Sequence, residues 1–222
     1  MKFNRLVVAG AALFCLAGNS FAAQLFYGGD FDGVNGLAVD FDAFTFDDFD
    51  ITGPGAVVDS VYGNCLSNAD FASMVMTWEI RSGISEGNGG VLEASGSGTP
   101  TVTPTGRSGF GFTEYNIRIS GLAVALNAGT YFFGMNVGED AFGGRTFVST
   151  TSGANSVGSP IANGNSFFNS GFFGFTYSST ANVLGAEADF SYGIDGEAVP
   201  EPATLVALGV GLAALAARRR RS

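Results

Sequence analysis

In the run GDFDGVNGLAVDFD, Asp30, Asp32, Asn35 and Asp40 place oxygen-bearing side chains around Gly33 and Gly36. Hard cations such as calcium take several oxygen ligands on a sharply turning loop, so this is the first place to look for chemistry. The spacing offers a candidate calcium site made of those four residues. The competing reading is an acidic turn between two edge strands.

The run departs from the twelve-residue EF-hand pattern. Val34 stands where an Asp or Asn is needed, and Phe41 stands where the closing glutamate belongs. Its spacing is closer to acidic calcium loops of the D-x-D-G type. A carboxylate pair for glycoside hydrolysis could be drawn from the many acids. With so many carboxylates, chance alone supplies such pairs, and no constellation of nucleophile, base and orienting group stands out. Histidine is absent from the chain. That removes the usual general base, the usual catalytic triads and the commonest zinc ligand. The sequence therefore points to a protein that is not an enzyme. Trp78 is the one tryptophan. An exposed aromatic plate would suit a sugar, but Trp78 falls on the apolar side of its segment and reads as core. Cys15 lies in the apolar N-terminal run, which leaves Cys65 alone and without an internal disulfide partner.

Charge is partitioned along the chain. Lys2 and Arg5 lie at the N-terminus and Arg218, Arg219, Arg220 and Arg221 at the C-terminus. Between them stand Arg81, Arg107, Arg118 and Arg145 against nineteen acidic residues, a net charge of −15. Phosphate recognition needs clustered cations, so nucleic acid is excluded as a partner. The acidity suits a soluble surface or cation binding.

The two ends read as addresses. MKFNRLVVAGAALFCLAGNSFAAQ has a basic start, an apolar stretch from Leu6 to Ala17, and small residues Ser20 and Ala22 before Ala23. These are the parts of a secretory signal peptide over residues 1–22, with cleavage by signal peptidase between Ala22 and Ala23. At the other end, Ala203 to Ala217 is apolar or small except for Thr204. As a helix it spans roughly 22 Å, short of the ~30 Å bilayer core. The four arginines that follow form a cytoplasmic stop by the positive-inside rule. Both ends thus place the central body outside the inner membrane.

Val199, Pro200, Glu201 and Pro202, the glycine-containing apolar stretch and the terminal arginines stand in order. Together they resemble the PEP-CTERM sorting signal, also labelled an ice-binding protein C-terminal domain. The resemblance covers residues 199–222. It implies processing by an exosortase, transient anchoring in the inner membrane, and a Gram-negative host that makes exopolysaccharide. WEIRSGISEGNGGVLEASGSG, GRSGFGFTEYNI and TTSGANSVGSP resemble a body type that recurs ahead of such signals, over roughly residues 47–175; this likeness implies no activity.

The body, residues 23–198, must position whatever it carries with strands. Met74, Met76, Trp78 and Ile80 alternate with polar neighbours, as do Tyr115, Ile117 and Ile119. Leu122, Val124 and Leu126, then Tyr131, Phe133, Met135 and Val137, then Ala188, Phe190, Tyr192 and Ile194 continue the pattern. In FTFDDFDI, Phe44 and Phe46 are out of phase with Phe49 and Ile51, which predicts a β-bulge at Asp47–Asp48. Glycine-rich turns separate the runs at residues 52–55, 87–90, 127–129 and 143–144. Ser95–Gly109 and Thr150–Asn165 read as loops. The fold class is all-β: an antiparallel two-sheet sandwich, jelly-roll-like, between a signal-peptide helix and a C-terminal hydrophobic helix.

The function expected is that of a secreted, exosortase-sorted, non-catalytic component of the cell surface or extracellular matrix, associated with exopolysaccharide or biofilm. The alternative is a ligand-binding module, lectin-like and calcium-dependent. Ice binding ranks last, because it calls for a regular threonine array that the sequence lacks.

Overall fold

The computed structural model describes residues 22–138 and 144–200, together with Gly209 and Gly211. Residues 1–21 of the expected signal-peptide helix, the expected C-terminal hydrophobic helix apart from Gly209 and Gly211, and the arginine stop lie outside the described residues. Among the described residues, no helix is long and apolar enough to cross a membrane.

Two antiparallel sheets face each other. The larger is organised on β4 (Ala56–Ser67). One side of β4 pairs along its length with β8 (Phe112–Leu126), which carries the edge strand β7 (Thr101–Gly109). Its other side is shared by β14 (Tyr192–Ala198) and β10 (Thr146–Thr151). β1 (Ala23–Tyr27) pairs with β14, while β2 (Phe31–Ala38) and the short β13 (Asp189–Phe190) pair with β10. The smaller sheet runs in the order β12 (Phe175–Ser179), β11 (Ser166–Ser170), β3 (Phe44–Ile51), β9 (Gly129–Asn136), β5 (Met76–Ser82), β6 (Val91–Gly98). One short helix, α1 (Thr180–Leu184), follows β12.

The alternating rows enter the core as their period requires. Met74, Met76, Trp78 and Ile80 are buried, as are Tyr131, Phe133, Met135 and Val137, and Phe190, Tyr192 and Ile194. They meet between the sheets, where Phe133 stands edge-on to Tyr192 at 4.8 Å between ring centroids. Trp78 is core, packed so closely on Gly96 that a Cβ there would lie 2.8 Å from the ring. Tyr62 crosses Gly193 more tightly still, leaving 1.9 Å for a Cβ. That approach lets Arg118 stack on the Tyr62 ring, 4.0 Å from its centroid, while pairing with Asp195.

Two local expectations are corrected. β3 has no bulge at Asp47–Asp48: it pairs in unbroken register with β9, from Thr45 opposite Met135 to Ile51 opposite Gly129. The out-of-phase phenylalanines need none, because both faces of β3 are covered. Phe49 and Ile51 join the main core, while Phe46 joins a second cluster with Ile84, Phe132 and Phe167, and Phe44 packs against it. The segment Ser95–Gly109 is not a loop; it belongs largely to β6 and β7. These strands lie at sheet edges with mostly exposed or half-buried side chains, so small polar residues are tolerated and the apolar alternation is weak.

The topology gives the sandwich two distinct poles. Ala198 ends β14 opposite Ala56, and Ala56 lies opposite Leu126. Ala23 pairs with Gly196. The start of β1, the β3–β4 turn, the β8–β9 turn and the exit of β14 therefore share one pole. The end of β4, the start of β3 and the start of β10 lie at the other, where Ser67 faces Thr146.

Candidate functional site

Among the described residues, one group of three acidic side chains is close enough to share an ion. Asp47, Asp48 and Asp189 each offer an oxygen within 4.8 Å of the others. β3 supplies the first two and β13 the third. Asp47 shares its strand face with Phe49, so its carboxylate enters the interior. There it accepts hydrogen bonds from the backbone N–H of Phe190 at 2.6 Å and of Asp48 at 3.0 Å. Asp48 accepts from the side-chain amides of Asn163 and Asn165. Asp189 accepts from the backbone N–H of Asn163 at 3.1 Å and Gly164 at 2.9 Å. The 163–165 segment thus clamps β3 to β13 through carboxylates.

No arginine appears among these hydrogen-bond partners. Burial pushes the Asp47 carboxyl well above the usual carboxylate range, and the neighbouring Asp189 and Asp48 charges push it further. Burial also raises Asp48, against the opposing bonds from Asn165 and Asn163. It raises Asp189, against the amides of Gly164 and Asn163. Like charges in a poorly solvated site favour shared protons or a hard cation. Asp189 also borders a shallow cleft of about 150 Å³ lined by Asp32, Asn35, Thr150 and Glu187.

The four residues expected to hold calcium are distributed differently. Asp30 pairs with Arg107 at 2.8 Å and accepts hydrogen bonds from the Tyr27 hydroxyl and the Asn155 amide. Asp32 accepts from the Thr150 hydroxyl and from the N–H of Val34. Asn35 accepts from the N–H of Gly36, the next residue of β2. Asp40 is buried against Arg145, 2.7 Å away. Asp30, Asp32 and Asp40 do not converge as a group of ion ligands. Arginine already neutralises two of them, and β2 stretches the run into a strand instead of wrapping it as a loop. Asp32 and Asn35 help to line the cleft beside Asp189.

Glu114 is a further buried acid that sequence reasoning passed over. It receives Arg107 Nε, the Thr105 hydroxyl and the Ser149 hydroxyl, and has no exposed side-chain surface. Arg107 therefore bridges Glu114 in the interior to Asp30 at the surface.

The exit of β14 is the other functional feature. Val199 donates its N–H to Gly55 at 2.9 Å, and Pro200 is exposed immediately beyond. Residues 198–221 match the family of the PEP-CTERM protein-sorting motif. The chain carries a PEP-CTERM sorting motif. The motif implies export, processing by exosortase and a cell-surface destination in a Gram-negative bacterium. Comparison with curated proteins and with solved structures gives no match. Its first matched residue, Ala198, is also the last residue of β14, so the sorting motif joins the sandwich with no intervening linker. Of the four sorting residues, Val199 and Pro200 are at this exit; Glu201 and Pro202 lie outside the described residues. Ala22 is exposed and β1 begins at Ala23, at the same pole.

Proposed function

We propose that the chain is a non-catalytic component of the cell surface or extracellular matrix, associated with exopolysaccharide, delivered by its signal peptide and sorting motif. The observation that carries this reading is the direct junction between β14 and the motif. The body is a folded cargo, and the motif is its address. Supporting this, the four body arginines are all engaged in ion pairs within the sandwich: Arg81 with Glu79, Arg107 with Asp30 and Glu114, Arg118 with Asp195, and Arg145 with Asp40. The few cations of the body serve its architecture.

Signal peptidase acts first on this reading, between Ala22 and Ala23. The Ala203–Ala217 helix then holds the chain briefly in the inner membrane, with Arg218–Arg221 on the cytoplasmic side. Pro200 and Pro202 keep the approach to that helix extended. Replacing all four arginines by glutamine is expected to impair membrane retention and sorting together. Glu201→Gln is expected to leave insertion intact and block processing. Cell fractionation with immunoblotting separates the two. Normal sorting of the arginine-free variant would overturn the reading.

A second reading, a lectin-like and cation-dependent binding module, draws on the Asp47, Asp48 and Asp189 group beside the cleft. A glycan array with and without calcium tests it. Saturable sugar binding that requires calcium would displace the first reading.

A further inference from the structure

The pole opposite the sorting motif carries an aromatic surface. Phe41 stacks on Phe172, with ring centroids 4.6 Å apart and planes 7° from parallel. Phe173 stands edge-on to both, at 6.1 Å and 4.9 Å. Phe172 is 64% exposed and Phe173 37% exposed, although large aromatics gain most by leaving water. Beside them, the Arg145 guanidinium sits 5.2 Å from the Phe41 centroid and 5.9 Å from that of Phe173.

This surface is held rigidly in place. Phe41 adopts φ +54°, a left-handed conformation that a bulky residue enters only when its surroundings compel it. The adjacent Asp42 carboxylate accepts hydrogen bonds from the Ser170 hydroxyl and the Phe172 N–H, tying the 41–42 turn to the 170–174 turn. The Asn136 amide donates to the Phe41 carbonyl at 3.1 Å. Two turns from different parts of the chain are thereby locked so that the Phe172 ring faces outward.

We infer that the Phe41, Phe172 and Phe173 platform binds a neutral polysaccharide by stacking on the apolar face of a pyranose ring. Three observations select this occupant. The ligand must present a flat apolar face, which a pyranose does through its C–H bonds, and polar edges for Asp42 and Arg145 at the rim. It must carry no anionic groups, because Arg145 is already paired with Asp40 and the body carries four arginines against nineteen acids, a net −15 that repels polyanions and a second copy alike. And the platform lies at the end of the sandwich remote from the β14 exit, so a body tethered by its motif presents it away from the membrane. The inference deepens the surface-component reading by naming a ligand class, and its test leaves secretion and sorting untouched.

Affinity electrophoresis of the mature protein through gels containing dextran, the β-glucan laminarin or anionic alginate tests the proposal. At least one neutral polymer is expected to retard the protein. Phe172→Leu, which keeps an apolar side chain without a flat face, should weaken retardation roughly tenfold. Phe172→Tyr should preserve it. Thermal melting of both variants should match the parent, since Phe172 is largely exposed. Retardation by neither neutral polymer, retardation unchanged in Phe172→Leu, or retardation by alginate alone would each overturn the proposal. So would a concentration-dependent dimer in sedimentation that Phe172→Leu abolishes, which would assign the platform to a second copy. Correct sorting of the Leu variant alongside lost binding would separate the ligand from the surface reading itself.

Discussion

Arg107→Met is expected to lower the melting temperature of the body by several degrees or more, because it strands a charge in the interior. Glu114 has no exposed side-chain surface, and Arg107 is its only cationic partner among the described residues. Removing one member of a buried pair costs roughly 3–5 kcal/mol. Arg107 keeps about a third of its own side chain exposed, so the lower end applies. At roughly 2–4 °C per kcal/mol for a domain of this size, the loss is readily measured. Methionine preserves much of the apolar stem that packs beneath the guanidinium, which isolates the charge from the packing. The double variant Arg107→Met, Glu114→Gln should recover much of the loss. A neutral amide needs no counter-charge, and the hydroxyls of Ser149 and Thr105 can donate or accept as required. Equal melting temperatures for the single and double variants would contradict this account. Asp30 receives the outer face of the same guanidinium, so the variant removes that carboxylate's ion pair as well.

Opposite behaviour is expected at Asp47, Asp48 and Asp189. All three carboxyls are raised, chiefly by burial. A folded-state value above the unfolded one means the folded protein holds its protons more tightly. The resulting stability is fully present below the unfolded carboxylate range near 3.8 and is lost as pH rises through the higher folded values. Mild acidification from neutral pH should therefore raise the melting temperature. Deeper acidification should lower it again, because the Asp30, Asp42 and Glu86 carboxyls are held below their ordinary values and their contribution fails as they protonate. For Asp30, hydrogen bonds from Tyr27 and Asn155 and the Arg107 charge outweigh the opposing effect of burial.

Asp48→Asn is the clean probe of the cluster. One Asp48 oxygen accepts both asparagine amides, so an Asn oxygen can take that place while one of three like charges disappears. The variant should melt above the parent at pH 7 and should flatten the acid-side rise. Asp47→Asn should not share the gain. Both Asp47 oxygens accept backbone amides, and an amide nitrogen would confront either Asp48 N–H or Phe190 N–H. Thermal melts across pH check the contrast. A loss of stability in Asp48→Asn at pH 7 would contradict the like-charge account. Repeating the melts in millimolar calcium tests the cation-dependent reading. At a hundredfold excess over its dissociation constant an ion adds about 2.7 kcal/mol. A calcium-induced rise that Asp48→Asn removes would assign the cluster to a cation.

How much of this was legible in the residues differs from place to place. Period-two rows such as Met76, Trp78 and Ile80 identified inward faces correctly, because only one side of β5 is fully buried. The same reasoning misplaced a bulge in FTFDDFDI, because it assumed one wet face. β3 has two dry faces, and alternation carries no information there. That run also held the signal of the acidic cluster: two aspartates interrupting an otherwise buried apolar strand. Their third partner, Asp189, lies far along the chain in the larger sheet and meets them only where the two sheets face each other. The Asp30 to Asp40 run looked like a ligand set because spacing records proximity in sequence. The arginines that occupy it come from elsewhere in the chain, Arg107 from near the end of β7 and Arg145 from just before β10. The aromatic platform joins residues 41 and 172–173 in the same way, and no local pattern announces it. The sorting motif was readable because it is a contiguous address, requiring no fold to assemble it.

The account rests on that address, and the most direct measurement is the intact mass of the protein recovered from its native host, fraction by fraction. The account predicts a mature species that begins at Ala23, lacks Arg218 to Arg221 and is found outside the inner membrane. A mature species that stays in the inner membrane and still carries those four arginines would contradict it, and would leave the C-terminal segment a plain tail anchor.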